Sequence, residues 1–262
     1  MNKISILLMT IIGLIFTECI PTKDLIYLQS KNKSDVNQPI NVINTLPYRL
    51  QTNDIISIGI KTLDPKLDLL FRTSNSSAQS MSEQGLYFDG FTIDDHGNIR
   101  VPLLGEVSVI GLTIDEIRIK IEQKLLSDYF NKESNLFVNV KLAGFRYTTN
   151  GEINVTGTKV LYQEKINILE AIANCGDIPV TGDRKNVQII RRNPQGTEIH
   201  TVDLTDVNVM NSPYYNLQPN DYIYVKPLKQ KTWGTGKTGL ESLGSIITII
   251  SLATTTYLLL KK

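Results

Sequence analysis

Polar and apolar positions change rhythm several times along this chain. An apolar run from Ile4 to Phe16, broken by Ser5, Thr10 and Gly13, follows one early positive charge, Lys3. Such a run is short for a transmembrane helix and has the length of a signal-peptide core. Residues 20–45 are polar and hold no sustained period, which predicts a tether. From Leu46 the pattern turns strand-like, and Asp54 to Ile60 alternates well enough for a strand. Residues 64–90 are polar and carry Ser74, Ser76, Ser77, Ser80 and Ser82, so a long loop is expected there. Asp94-Asp95-His96-Gly97-Asn98 reads as a turn between strands. Thr113 and Glu116 have the spacing of a capping box, and a helix is expected from there to about Phe130. Ile114, Ile117, Ile121 and Leu125 fall on one face of it, which points to packing on a sheet. Leu136 to Leu142 alternates again as a strand.

A second unit begins near Phe145. Gly151 to Thr158 is expected as strand and turn, and Ile166 to Asn174 as a short helix stopped by Gly176. Asn186 to Arg192 and Thr197 to Leu204 flank Asn193-Pro194-Gln195-Gly196, a hairpin turn, and Tyr222 to Val225 is the final strand. Two echoes link the units. Tyr48-Arg49-Leu50-Gln51-Thr52-Asn53-Asp54-Ile55-Ile56 resembles Tyr215-Asn216-Leu217-Gln218-Pro219-Asn220-Asp221-Tyr222-Ile223. Gly105-Glu106-Val107-Ser108-Val109-Ile110-Gly111 resembles Gly151-Glu152-Ile153-Asn154-Val155-Thr156-Gly157. Their order differs between the units, so this is no simple tandem repeat.

Leu240 to Leu260 is apolar apart from a sparse set of polar and small residues, and Lys261-Lys262 follow. As one helix it would span about 32 Å, close to the thickness of a hydrocarbon core. Glu241, Gly244, Ser245, Thr248, Ser251 and Thr255 recur at spacings of three and four and form one stripe. A single tail anchor with a small-residue packing face fits this pattern. So does one helix in a ring of identical helices, with Glu241, Ser245, Thr248, Ser251 and Thr255 toward a watery lumen. Gly234, Gly236 and Gly239 supply a flexible joint just upstream.

Composition narrows the chemistry. Lys and Arg total 27 against 26 Asp and Glu, with no basic tract, so nucleic acid is excluded as the expected partner. Two Cys and two His offer no cluster for a structural metal, and no cofactor motif is present. Cys19 stands just after the apolar run, the mark of a bacterial lipoprotein signal. Lipidation of Cys19 would supply the buried chains that stable membrane anchoring needs; an uncleaved anchor is the alternative. Phe16-Thr17-Glu18 departs from the usual small-residue approach. Cys175 lies on an apolar helical stretch and reads as a small buried hydrophobe. Asp94 and Asp95, or Asp203 and Asp206, are the carboxylate pairs a glycosidase would need, but both sit in expected turns where Asp serves the backbone. Tyr214, Tyr215, Tyr222 and Tyr224 crowd one segment, and packing is their expected role. No enzymatic activity is expected.

These motifs together resemble the Wza-type outer-membrane polysaccharide export proteins, in their short lipoprotein form. Tyr48 to Ile60, Phe91 to Ile117 and Leu136 to Leu142 look like the polysaccharide export domain. Gly151 to Thr158, Ile166 to Arg192 and Tyr215 to Pro227 look like a soluble-ligand-binding β-grasp domain. The resemblance covers about residues 46–228. Thr156 stands where a proline commonly precedes the glycine, and a further β-grasp copy of the longer members is not found.

The resemblance implies an α+β chain: two small periplasmic α+β domains followed by a C-terminal transmembrane helix. The expected divisions are a signal peptide over 1–18, a tether over 19–45 and the export domain over 46–143. The β-grasp domain over 144–230, a joint over 231–239 and a transmembrane helix over 240–260 complete them. It implies a homo-oligomeric ring, often an octamer, lipid-anchored in the outer membrane. An inner-membrane polysaccharide co-polymerase, often a tyrosine kinase, is the implied protein partner. Capsular or extracellular polysaccharide would pass through the lumen without any bond being made or broken. A glycan-binding envelope lipoprotein without a pore is the competing expectation.

Overall fold

Hydrophobic alternation sorts the chain into two cores that share no residue. The computed structural model describes residues 20–30, 47–62, 85, 89–129, 136–193, 195–232, 244 and 247–255. The first core gathers Leu50, Ile56, Ile93, Ile99, Val107, Ile117, Ile121, Leu125, Val138 and Val140. It lies under an antiparallel sheet of order β2-β1-β5, made of β1 (Ile55–Thr62), β2 (Phe91–Thr92) and β5 (Leu136–Leu142). Val138 and Val140 point inward from β5, while Phe137, Asn139 and Lys141 point out, the alternation that a half-buried strand requires. A separate hairpin joins β3 (Asn98–Val101) to β4 (Gly105–Ser108).

Helix α1 (Ile114–Asp128) packs on β5 through Ile117, Ile121 and Leu125. Its capping box is complete: the Glu116 amide donates to Thr113 Oγ1 at 3.3 Å, and the Thr113 amide donates to the Glu116 carboxylate at 2.8 Å. A cap contributes about 1 kcal/mol. Each of the three buried side chains contributes about 1.5–3 kcal/mol. Packing therefore decides where the helix lies, and the cap decides where it starts.

The second core holds Phe145, Tyr147, Ile168, Ile172, Cys175, Val187, Ile189, Leu217, Ile223 and Val225 among others. Its sheet runs β7-β6-β10-β8-β9. The strands are β6 (Phe145–Gly151), β7 (Gly157–Leu161), β8 (Gly182–Asn193), β9 (Gly196–Val202) and β10 (Tyr222–Pro227). The central pair β6–β10 is parallel and the other three pairs are antiparallel. Helix α2 (Ile168–Ala173) follows the β6–β7 hairpin and starts at a second full capping box, Asn167 with Glu170. Gly151 ends β6 at φ 87°, and a Cβ there would overlap the Val225 carbonyl. A short helix, α3 (Lys229–Thr232), ends this unit.

Residues 20–30 lie against the second unit. The Leu28 amide donates to the Leu204 carbonyl at 3.1 Å and the Gln29 amide to that of Thr205 at 2.7 Å; the Val207 amide donates back to Gln29 at 3.1 Å. Tyr27 and Leu28 pack on the second core, and Lys185 pairs with Asp24 at 2.5 Å.

The fold has the mixed α and β content expected, but the expected C-terminal transmembrane helix over 240–260 is corrected. Among the described residues no helix is long and apolar enough to cross a membrane. Residues 247–255 are helical. Hydroxyls interrupt their apolar surface: Thr254 and Thr255 turn theirs back on the carbonyls of Ile250 and Ser251, at 2.8 and 2.6 Å.

Candidate functional site

The echoed loops occupy equivalent places in the two units. Asn53 at φ 68° and Asn220 at φ 67° both take the left-handed conformation, which Asn tolerates better than most side chains. Each turn delivers a buried aspartate at the entrance to a strand: Asp54 before β1 and Asp221 before β10, 4% and 1% exposed. Each carboxylate accepts from the amide three residues back, Gln51 at 2.9 Å and Gln218 at 2.7 Å. Leu50 and Leu217, also equivalent, anchor the loops in their respective cores. The pattern read as an echo in sequence is thus one physical device used twice: an Asx-type turn that caps its own backbone and starts a strand.

The remaining valence of each carboxylate is met differently. Tyr48 donates its hydroxyl to Asp54 at 2.7 Å. Asp221 is gripped by Arg191, Nε to Oδ1 at 2.9 Å and Nη2 to Oδ2 at 2.7 Å. Burial pushes both carboxyls above their ordinary 3.8, and the hydrogen bonds hold them down only in part. Burial also raises the Tyr48 phenol, helped by the negative Asp54. Tyr48 therefore stays protonated and donates.

The loops also meet each other. Asn220 Nδ2 donates to Asp54 Oδ1 at 2.9 Å, and Gln51 Nε2 donates to the Arg192 carbonyl at 3.1 Å. Asp54 thereby accepts from Tyr48, Gln51 and Asn220. This junction contains acids, amides and a phenol, but each is committed to a structural bond. It is suited to holding two units together, not to moving protons.

The other residues singled out in the sequence are placed as follows. Cys19, Glu241 and Ser245 lie outside the described residues. Thr248, Ser251 and Thr255 are exposed on one helical stretch, and Thr248 and Thr255 donate to Gly244 and Ser251 carbonyls. Asp94 Oδ1 accepts from the His96 and Asn98 amides at 2.9 and 2.8 Å, so it builds its turn. Asp203 serves the Thr205 amide and hydroxyl, and Asp206 caps the short 3-10 helix Val207–Asn211. Cys175 is fully buried between the Tyr147 and Thr149 hydroxyls. Tyr214 stacks on His200 with ring centroids 3.7 Å apart, and Arg191 Cζ lies 5.5 Å from the Tyr214 ring centroid. Among the described residues no group of three or more His, Cys, Asp or Glu could hold a metal ion.

Sequence reasoning missed Arg184. It is buried beneath Tyr27, its carbon Cζ 5.2 Å from the ring centroid, and it donates to the Ile178 and Pro179 carbonyls. Only the pairing of residues 20–30 with the second unit reveals this, and no local pattern signals it.

Residues 44–142 match the family described as polysaccharide biosynthesis/export protein. The chain is also similar to two curated relatives, each named EPS I polysaccharide export outer membrane protein EpsA. The one from Ralstonia nicotianae is 25% identical over 160 residues, covering 58% of this chain and 40% of the relative. The one from Ralstonia solanacearum is 25% identical over 158 residues, covering 57% and 40%. The match spans well under half the length of these relatives. The family match takes in the first echoed loop and the whole first core, and both relatives are named for polysaccharide export at the outer membrane.

Proposed function

We propose that this chain is a subunit of an outer-membrane assembly that exports capsular or extracellular polysaccharide. The observation that carries the reading is the match of residues 44–142 to the polysaccharide biosynthesis/export family, joined by relatives named for polysaccharide export at the outer membrane. The role is transport without catalysis. Copies of the chain form a ring whose lumen gives the hydrated polymer a polar path. Without such a path, the polymer's hydrogen-bonding groups would be left unsatisfied in hydrocarbon. Cys19 is the proposed lipid anchor, with the folded units in the periplasm and an inner-membrane co-polymerase as the protein partner. Residues 46–143 act as the export domain. Residues 144–230 act as a soluble-ligand-binding β-grasp domain, a reading supported by the strand order β7-β6-β10-β8-β9 with its parallel central pair and the helix α2 between hairpin and sheet.

The test is genetic and structural. Deleting the gene is expected to abolish surface polysaccharide, and a copy with Asp94 and Asp95 changed to Asn is expected to restore it. Particles purified in detergent are expected to show rotational symmetry. Normal surface polysaccharide in the deletion strain would overturn export; monomeric particles would overturn the ring.

A further inference from the structure

Asn220 sits at a backbone position where glycine is the least strained residue. Its φ of 67° lies in the left-handed region, and glycine enters that region without the penalty a Cβ brings. Asn also tolerates it, and here its side chain makes a contact that lies across the molecule. Its amide Nδ2 donates to Asp54 Oδ1 at 2.9 Å, from the second unit to the first. Asn53 provides an internal comparison. It holds the same φ in the matching loop, yet its side chain is exposed and makes no such cross-unit bond among the described residues.

Among the described residues, little else joins the units. The two cores share no residue. The direct covalent link between the sheets is Ala143-Gly144, with Gly144 at φ 122°. Among the described residues, Gln51 also donates across to the Arg192 carbonyl, and Asn220 also interacts with the Tyr48 hydroxyl. Domains joined by a small polar contact and a short link are expected to reorient unless something fixes them. The acceptor for the Asn220 bond is itself immobile: Asp54 is buried and held by Tyr48 and the Gln51 amide. Asp54 as a residue is only 4% exposed, so water competes poorly for the bond.

We propose that Asn220 is a positioning residue that sets the angle between the two units by latching onto Asp54, and that Ala143-Gly144 is the hinge this latch closes. Each unit keeps its own core whether the latch is open or closed. The latch thus acts on relative orientation and not on folding.

The experiment uses the full chain with spin labels at exposed positions Arg100 and Thr197, one per unit, each changed to Cys. Distances between the labels are measured by pulsed electron resonance. The unmodified latch is expected to give one narrow distance. Asn220→Gly, which keeps the left-handed backbone and deletes only the amide, is expected to lose that single distance and give a broad or split distribution. Asn53→Gly, the same change in the matching loop, is expected to leave it narrow. Asn220→Asp, which turns a second carboxylate toward Asp54, is expected to broaden it as well. Far-ultraviolet dichroism of all variants is expected to match the parent. A narrow, unshifted distance in either Asn220 variant would overturn the proposal, as would equal broadening in Asn53→Gly.

Discussion

The Arg191 guanidinium and the Asp221 carboxylate form a two-point pair inside the second unit, with side chains 8% and 1% exposed. The planar fork of arginine matches a carboxylate in this way, and lysine cannot reproduce it. Removing one member of a buried pair strands the other charge, at a cost of about 3–5 kcal/mol. Arg191→Ala is therefore expected to lower the unfolding free energy by that amount in denaturant titration. Arg191→Lys is expected to recover only part of it. A loss below ~1 kcal/mol in Arg191→Ala would mean that solvent reaches Asp221 after all.

Among the described residues Asp54 has no cationic partner and relies on the neutral donors Tyr48, Gln51 and Asn220. Burial raises its carboxyl above 3.8, so at pH values between 3.8 and the raised value the folded state binds more protons than the unfolded state. Stability from this group is therefore highest below the unfolded value and falls as pH rises through the folded one. Asp54→Asn abolishes that titration, and the Asn220 amide can turn to offer its oxygen to the new donor. The prediction is a shallower fall in melting temperature between pH ~4 and neutrality than in the parent. Asp221, also raised by burial, retains its share in the variant. Parallel pH profiles for the two proteins would show that Asp54 does not titrate in this window.

What could be read from sequence was whatever depends on neighbours along the chain. The capping box at Thr113, the strands Ile55–Thr62 and Leu136–Leu142 and the hairpin turn before Gly196 rest on local spacing and alternation, whereas the second capping box at Asn167 was not read. The repeated Asn-Asp turns were visible as an echo. Their meaning was not, because the bond from Asn220 to Asp54 and the grip of Arg191 on Asp221 join distant residues. The place of residues 20–30 was hidden for the same reason: a polar stretch without period has no local signature of pairing with Leu204, Thr205 and Val207. The stretch 240–260 misled in the opposite direction. Its apolar count invited a membrane span, whereas among the described residues no helix is long and apolar enough to cross a membrane, and Thr248, Thr254 and Thr255 place hydroxyls along the helical part.

The two glycines that open the second pair of echoes, Gly105 and Gly151, are alike in sequence and unlike in surroundings. Both have positive φ, 71° and 87°. A Cβ on Gly105 would meet open space, whereas one on Gly151 would run into the Val225 carbonyl and the Tyr224 ring. Gly105→Ala is expected to cost only the left-handed backbone penalty, about 1–2 kcal/mol. Gly151→Ala adds steric overlap in the parallel β6–β10 pair and is expected to cost more than 3 kcal/mol, in the range of severe core disruption. Equal stability of the two variants in chemical denaturation would contradict the close approach of β6 and β10.

Tyr27 covers Arg184, and Arg184 Nε has no hydrogen-bond partner among the described residues. The ring also donates its hydroxyl to Asp177, and burial with that carboxylate pushes the phenol up to about 12. Tyr27→Ala takes away the aromatic face and the donor together, uncovering the buried Arg184 guanidinium and leaving the exposed Asp177 carboxylate without its phenol donor. The expected cost is about 2–4 kcal/mol. Tyr27→Phe keeps the face and loses only the hydroxyl bond, so about 1 kcal/mol is expected. Cys175 reports which part of the fold opens, because its thiol is fully buried in the second core. If residues 20–30 are an integral part of that unit, Tyr27→Ala raises the rate of Cys175 alkylation in native buffer while protection of the first core against hydrogen exchange stays constant. Unchanged alkylation would mean that the segment lies on the second unit without supporting it.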